Sequence, residues 1–307
     1  MDGFSDIALF TLIAKLGNMA AAAQELGVTP PVVSRRLAAL EKRLGVRLMN
    51  RTTRRVSLTP EGEAYLLDGT RILDQLQALE HRIGGGSSQP QGTLRVAGTL
   101  GFGRKYITPA LSRFAGLYPE VEVQLHLSDR PVNLIEQGFD VAIRFGELSD
   151  SRLTARLLAR NQRLLCASPL YLKRAGVPQH PRELGAHNCI FIREGDETFG
   201  TWHLSSGSEH ESVKVRANLS TNDGGSALEW ALQGHGILMR SQWDIADHLR
   251  RKELLPVLAD WATPAADIYV VFQMANQLPA KIRALVDLLV TVFEPYRARG
   301  KPPHGAW

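Results

Sequence analysis

The run Gly84-Gly85-Gly86-Ser87-Ser88-Gln89-Pro90-Gln91-Gly92 divides this chain, because a glycine and serine cluster neither continues a helix nor packs a core and behaves as a flexible linker. No single core can span it. The 307 residues must fold as more than one body, which suits a length that allows two or three domains at roughly 100 to 200 residues each. Before the break the apolar patterns are almost all helical. After it, strand-like and helix-like patterns alternate, which predicts an α/β body behind an all-α head.

Composition sets the outer bounds. Hydrophobic residues at 44% and charged residues at 22% are those of a folded globular protein. Cys166 and Cys189 are too few and too far apart for a disulfide framework or a zinc motif, so both read as reduced, buried thiols. The opening Met1-Asp2-Gly3-Phe4-Ser5-Asp6 lacks the basic start and apolar run of a signal peptide, and no stretch of about 18 apolar residues could cross a bilayer. A cytoplasmic protein with no membrane partner is expected. The net charge of +5 is modest, but its distribution is not even. Between Arg35 and Arg55 lie Arg35, Arg36, Lys42, Arg43, Arg47, Arg51, Arg54 and Arg55 against the single acid Glu41, the footprint that a phosphate backbone selects.

The head, residues 1–59, reads as three helices and a hairpin. Leu9, Ile13 and Leu16 form one stripe of the first helix, with Phe10 and Ala14 beside it. Gly17 ends that helix and Asn18 caps the next, whose run Met19 to Ala23 permits a close helix crossing. Gly27-Val28 turns into Thr29-Pro30-Pro31, a cap followed by proline at the first helical position. On the third helix Val33, Leu37, Leu40 and Leu44 make the buried stripe, and Pro31, Arg35, Ala38 and Lys42 face away with Ser34 on the flank. Small groups near the start and cations farther along suit a major-groove helix, although an ordinary solvated basic face has the same pattern. Arg47-Leu48-Met49 and Val56-Ser57-Leu58 pair around a tip bearing Arg51, Arg54 and Arg55, a wing able to reach a minor groove and the phosphates beside it.

The run from Ala20 to Leu37, followed by Leu40-Glu41, Leu44-Gly45, Asn50 to Arg54 and Leu58 to Gly62, resembles the N-terminal signature of LysR-type transcriptional regulators. Gly17-Asn18-Met19-Ala20 departs from it, since the family usually starts its second helix with a Gly-Ser-Phe-Ser-like phrase. The resemblance implies a winged helix-turn-helix whose double-stranded DNA contacts fall to Asn18, Thr29, Pro30, Pro31, Ser34, Arg35, Arg36, Arg51, Arg54 and Arg55. Thr59-Pro60 then opens a long linker helix over residues 60–83, where Ile72, Leu76, Leu79 and Ile83, with Leu66 and Leu73, form a seam. Packing onto its own head would use that seam; the resemblance implies instead that it pairs two subunits, and that dimers assemble to tetramers.

Residues 84–92 are the hinge and residues 93–307 the body. Strands are predicted at Leu94–Ala97, Val121–Leu127, Val141–Ile143, Leu164–Cys166, Ile190–Ile192, Ile237–Met239 and Ile268–Phe272. Helices are predicted from Thr108-Pro109, around Leu134-Ile135 up to Gly138, and from Pro279 to Tyr296, with residues 301–307 as a loose tail. Phe139 to Arg144 and Leu165 to Pro169 resemble the effector domain of the same family, which is similar to periplasmic binding proteins. That implies a two-lobed α/β domain, lobe I at 93–163 and 268–300, lobe II at 164–267, with a ligand between them.

Thr99, Gly101 and Phe102 follow the first strand, where a glycine-rich turn could cradle an anionic oxygen or serve backbone shape alone. Ser128 and Arg144 end strands at positions that face the effector in the family. Arg144 could clamp a carboxylate or pair with Asp140 or Glu147. The polar, aromatic stretch Ile192 to Trp202, with Phe102-Gly103-Arg104 and Leu238 to Ser241, resembles the subgroup controlling D-malate and tartrate use. It implies a small hydroxylated dicarboxylate held by Arg144 and Arg240, with Glu194 or Thr99 for hydroxyls and Phe199 and Trp202 as walls, unless those rings are core. Asn222 and Asp223 could cap a helix or touch the ligand. No cofactor or metal is expected; the partners are DNA, the carboxylate effector, further copies of the chain and RNA polymerase. The alternatives are an enzyme with an appended DNA-binding domain and a ligand-independent architectural protein. Against the former, His126, His187, His203, His210, His235 and His248 form no close-spaced metal motif and no nucleophile elbow is present.

Overall fold

The computed structural model describes residues 3–51, 56–83, 89–130, 132–146, 150–193, 200–274 and 278–297. The chain resolves into two compact units, Met1–Gly92 with Glu136–Gly138, and the remainder from Thr93 onward.

The first unit contains α1 (Gly3–Leu16), α2 (Met19–Glu25), α3 (Pro30–Leu44), β1 (Met49–Arg51), β2 (Val56–Leu58) and α4 (Pro60–Ile83). Local chemistry sets its corners. Asn18 accepts the Ala20 amide at 2.8 Å and so caps α2, keeping the cap function despite its departure from the family phrase. Gly27, at φ +64°, lets the Val28 amide return to the Ala23 carbonyl at 2.9 Å and end that helix. Thr29 stands at the N-cap of α3, yet its side chain makes no capping bond; Pro30 supplies the start by its fixed φ. Thr59 caps α4 properly, accepting the Gly62 amide at 3.0 Å while donating to the Arg47 carbonyl at 2.7 Å.

Leu9, Phe10, Ile13, Ala22, Ala23, Val33, Leu37 and Leu40 meet in one core with Leu48 and Met49 of the wing. Two stripe residues fall outside it. Leu16 and Leu44 are 41% and 37% exposed, because each lies in the last turn of its helix, beyond the reach of the core. Leu66 of α4 packs on this core, whereas Ile72 and Leu79, farther along the same helix, stay exposed.

In the second unit β3 (Gly92–Thr99) leads into α5 (Leu100–Phe102), a π-helical turn at Gly103–Ile107 and α6 (Thr108–Leu117). Then come β4 (Val121–Ser128), β5 (Val141–Phe145), β6 (Leu153–Ala159), β7 (Arg163–Ala167), α7 (Pro169–Ala175) and β8 (Asn188–Ile192). The order continues with β9 (Thr201–Ser206), β10 (Glu209–Lys214), β11 (Arg216–Thr221), α8 (Gly224–Leu232) and β12 (Ile237–Ser241). It ends with α9 (Gln242–Arg250), β13 (Leu255–Val257), β14 (Ile268–Gln273) and α10 (Ala280–Val292). Two five-stranded mixed sheets result, ordered β4-β3-β5-β14-β6 and β11-β8-β12-β7-β13, and they are the two lobes. The crossings between them run side by side: Arg160 pairs with Asp267, the Asn161 amide donates to the same carboxylate at 3.0 Å, and Asn161 Nδ2 donates to the Ala266 carbonyl at 2.8 Å.

Three expectations need correction. Leu134 and Ile135 lie in a hydrogen-bonded turn, closed by the Phe139 amide on the Leu134 carbonyl at 3.0 Å, and form no helix. The glycine-rich segment after β3 is no open turn, since the helical path begins at Leu100, well ahead of Thr108. The last helix ends at Val292 and a short 3-10 turn over Glu294–Tyr296 follows. The strands β6, β9, β10, β11 and β13 were not legible in the sequence. Arg216 to Asn218 of β11 are exposed at a sheet edge and β13 carries Pro256, so neither presents the apolar run of a central strand.

One helix breaks the division into lobes. α9 follows the second-lobe strand β12, and its Ile245 packs in the second-lobe core. Its neighbour Trp243, 4% exposed, is embedded in the first-lobe core among Phe102 and Tyr106, with ring centroids 5.4 and 5.9 Å away. α9 thereby rivets the lobes together beside the cleft.

Candidate functional site

On the first unit, Thr29, Pro30, Pro31 and Arg35 are exposed and Ser34 is half-buried, all at the start of α3. Arg36 is turned elsewhere: its Nη2 donates to Ser5 Oγ at 2.7 Å and lies 3.5 Å from Asp6 of α1. Helix periodicity puts Arg36 on the flank next to α1, away from the face that carries Pro31, Arg35, Ala38 and Lys42. Arg51 belongs to β1, and Arg54 and Arg55 lie outside the described residues. Glu41 secures the wing by accepting the Leu48 and Met49 amides at 2.9 and 3.2 Å. The lone acid of this stretch therefore holds β1 on α3. Gly62 permits the same close fit, since a Cβ there would stand 1.9 Å from the Leu48 carbonyl oxygen.

In the second unit a cleft of about 410 Å³ opens between the lobes. It brings together Thr99, Gly101, Ser128 and Arg144 from the first lobe and Trp202 and Arg240 from the second, residues separated by as much as 141 positions in the chain. Glu194 and Phe199 lie outside the described residues. Among the described lining residues Arg130, Arg144, Arg163, Arg193 and Arg240 face a single acid, Asp129. Concave walls focus such a field, so the cleft favours an anion.

Each predicted contact has a definite setting. Thr99 is exposed at the N-cap of α5 and its hydroxyl makes no capping bond. Ser128 Oγ accepts the Arg130 amide at 3.0 Å. Arg144 donates to the Val132 carbonyl, a neutral partner, and Asp140 instead accepts the Arg95 amide at 2.8 Å. Phe102 lines the cleft from its floor, its ring fully buried among Tyr106, Phe145, Trp243 and Phe293. Trp202 sits in a strand, 7% exposed in the second-lobe core, with its ring stacked 6.1 Å from Phe191.

Arg240 is the most constrained group in the cleft. Its Nε and Nη2 both reach Asp244 Oδ2 at 2.6 Å, a residue one turn along α9, and its Cζ lies 5.4 Å from the Trp243 ring centre. Gly224, the first residue of α8, comes so close that a Cβ there would be 2.1 to 2.2 Å from Nη1, Cζ and Nη2. A Cβ on Gly101 would stand 3.5 Å from Nη2 and 3.1 Å from Trp243. The guanidinium is preorganised, with its side-on edge on Asp244 and Nη1 uncommitted to that carboxylate. Asp223 caps α8 through the Ser226 amide at 3.0 Å; that hydrogen bond holds its carboxyl below the usual range. Asn222 donates across the cleft mouth to Asp129.

The sequence reading missed Arg130, Arg163, Arg193 and Trp243 as parts of this site, while Asn222, which it left between cap and ligand contact, lines the cleft. Arg193 had a usable signal, since it follows β8 as Arg144 ends β5, both at carboxyl ends of strands. Trp243 had none. Outside the cleft, His180, Glu209 and Glu211 bring ligand-type atoms within 4.8 Å of one another. Arg182 holds Glu211 at 2.7 Å and its amide donates to His180 Nδ1 at 3.3 Å, so two of these groups are already partnered by one residue. No helix among the described residues is long and apolar enough to cross a membrane.

Comparison with known proteins matches residues 4–63 to the bacterial regulatory helix-turn-helix protein, lysR family, and residues 87–294 to the LysR substrate binding domain. The transcriptional regulator DmlR of Escherichia coli K12 is 38% identical over 289 residues, 94% of each chain. The transcriptional activator TtdR of the same strain is 36% identical over 300 residues, 98% of this chain and 96% of that one. Among solved structures, CrgA of Neisseria meningitidis superposes with a TM-score of 0.58 at 30% identity, covering 94% of this chain and 97% of its own.

Proposed function

Because the chain belongs to the LysR family of helix-turn-helix transcriptional regulators, we propose that its effector is a small hydroxylated dicarboxylate of the malate and tartrate type, bound between the lobes. The observation that carries this reading is the excess of guanidinium groups over carboxylates in the cleft, five arginines to Asp129 among its described lining residues. Two of them suit the two ends of a dicarboxylate. Arg144 in the first lobe and Arg240 in the second approach the cleft from opposite sheets; Arg144 can take a carboxylate in a two-pronged contact, and Arg240 offers Nη1 while Nε and Nη2 stay on Asp244. The exposed Thr99 hydroxyl is placed to recognise a hydroxyl group of such an acid. Resemblance to the subgroup controlling D-malate and tartrate use supports the same class.

On the DNA side, the exposed start of α3 reads base edges while Arg35 and the wing arginines Arg51, Arg54 and Arg55 engage phosphates and the minor groove. Ile72 and Leu79 of α4, exposed on the single chain, pair with a second copy, which sets two heads on a dyad-symmetric promoter site in the cytoplasm. Further pairing to a tetramer, and contact with RNA polymerase, complete the assembly. The effector acts by binding one arrangement of that assembly more tightly than another.

The test is a thermal-shift screen of the full-length protein with D- and L-malate and the tartrate stereoisomers. At least one is expected to raise the melting temperature saturably, and Arg144→Ala to remove the shift while DNA binding persists. A flat screen, or a shift unchanged in Arg144→Ala, rejects the assignment.

A further inference from the structure

In the DNA-binding head the carboxylate of Asp6 is almost wholly enclosed, its side chain 7% exposed, and it faces two guanidinium groups of one helix. Arg43 Nη2 lies 3.0 Å from Oδ2 and Arg36 Nη2 lies 3.5 Å from Oδ1. Ser5 adds two more acceptors for Arg36, its hydroxyl at 2.7 Å and its carbonyl at 3.2 Å. Tyr65 of α4 lies beside the group, its ring meeting Phe10 of α1 edge-on with centroids 5.2 Å apart. Three helices thus meet at one point. The buried carboxylate of Asp6 is thereby spent on two cations of α3.

The geometry of α3 gives that cluster its meaning. At about 100° per residue, Arg36 and Arg43, seven positions apart, point in nearly the same direction, and Pro31, Arg35, Ala38 and Lys42 are centred about 120° around the helix from them. Apolar packing at Val33, Leu37 and Leu40 alone would let the helix roll, because hydrophobic contact is non-directional. The charged hydrogen bond from Arg43 to the buried carboxylate and those from Arg36 to Ser5, with Arg36 also paired to Asp6 at 3.5 Å, are directional and resist that roll. Rolling by one residue would exchange the groups offered to the groove.

We propose that Asp6 is a positioning residue of the DNA-binding surface: through Arg36 and Arg43 it fixes the rotation of α3 and keeps both cations off the DNA phosphates. The inference rests on the reading of α3 as the groove-facing helix. It reduces the cations of the basic stretch available to DNA and assigns sequence selectivity partly to a residue that never touches the duplex.

The test uses the full-length protein, a short duplex selected by the wild type from a random-sequence pool, and a scrambled duplex of equal length. Arg35→Gln is expected to flatten the slope of log affinity against log salt on the scrambled duplex by about 0.9 per head, the effect of one lost phosphate contact. Arg36→Gln and Arg43→Gln are expected to leave that slope at the wild-type value. Those two variants and Asp6→Asn should instead lower the ratio of selected to scrambled affinity by about tenfold, within the range for losing one base contact. Should Asp6→Asn not fold, the two arginine variants carry the test. A slope flattened by Arg36→Gln or Arg43→Gln as much as by Arg35→Gln overturns the proposal, as does an unchanged affinity ratio. A wild type that binds neither duplex instead rejects the DNA-binding reading, and the proposal falls with it.

Discussion

Gly224→Ala is the sharpest probe of the cleft, because it adds one methyl group where Arg240 already stands. The backbone of Gly224 is not in the left-handed region that reserves a position for glycine, so alanine meets no conformational barrier. Its Cβ would lie 2.2 Å from Cζ of Arg240, whereas ordinary contact begins at 3.4 Å, and the guanidinium must therefore retreat by about 1.2 Å. That motion breaks the register with Asp244, now held at 2.6 Å. Two stability effects oppose each other in the unliganded protein. Displacing a packed group costs about 1 to 3 kcal/mol, while alanine in place of glycine in a helix recovers up to about 1 kcal/mol.

Ligand binding has no such offset. Hydrogen bonds to a charged group contribute about 1.5 to 3 kcal/mol, so affinity for malate or tartrate is expected to fall by roughly ten- to 150-fold. Differential scanning fluorimetry with ligand at a hundred times its wild-type Kd gives the readout. The wild type gains about 2.7 kcal/mol, or roughly 5 to 10 °C for a protein of this size, and a variant weakened a hundredfold gains only about 0.4 kcal/mol, near 1 °C. In an Arg240→Ala background the clash disappears, so Gly224→Ala should there be neutral or slightly stabilising. An equal ligand shift in wild type and Gly224→Ala, or a second-site effect of Gly224→Ala that persists without Arg240, would refute the packing argument.

Two further outcomes follow from the same geometry. Trp243→Ala removes a buried ring shared by both lobes and should cost about 3 to 5 kcal/mol, lowering the melting temperature by roughly 10 °C; a drop no larger than that of a surface substitution would show that α9 does not rivet the lobes. Asp223→Ala should cost about 1 kcal/mol at neutral pH through loss of the α8 cap. The depressed folded-state pKa makes this stabilisation present above the unfolded value of about 3.9 and lost as pH falls through the lower folded value, so acid melts should bring the variant and wild type together.

Much of the local structure was legible because it depends on neighbours in sequence. Asn18 and Thr59 cap helices by bonds to amides two and three residues away, and Pro30 starts α3 through its own ring. The central strands, such as Val141–Phe145 and Ile268–Gln273, announced themselves by apolar runs that only a strand covered on both faces carries. Thr29 shows the limit of this reasoning, since the right residue at the right position makes no capping bond. Edge strands such as β11 escaped because half of their surface is solvated and their composition follows the solvent.

By itself, then, the sequence determined a basic helical head, a break after Ile83 and an α/β body, since helix caps, periodicity and glycine punctuation act over a few residues. The tertiary structure decided which charges are free to act. Arg35 and Arg36 are adjacent and chemically identical, yet one is exposed and the other is bound to Ser5 and Asp6, 30 and more positions earlier. Likewise, Gly224 looks like any glycine at a helix start, and only the fold places Arg240 against it. Coulomb and contact energies depend on distances through space, and those distances exist only once the chain has closed its long loops.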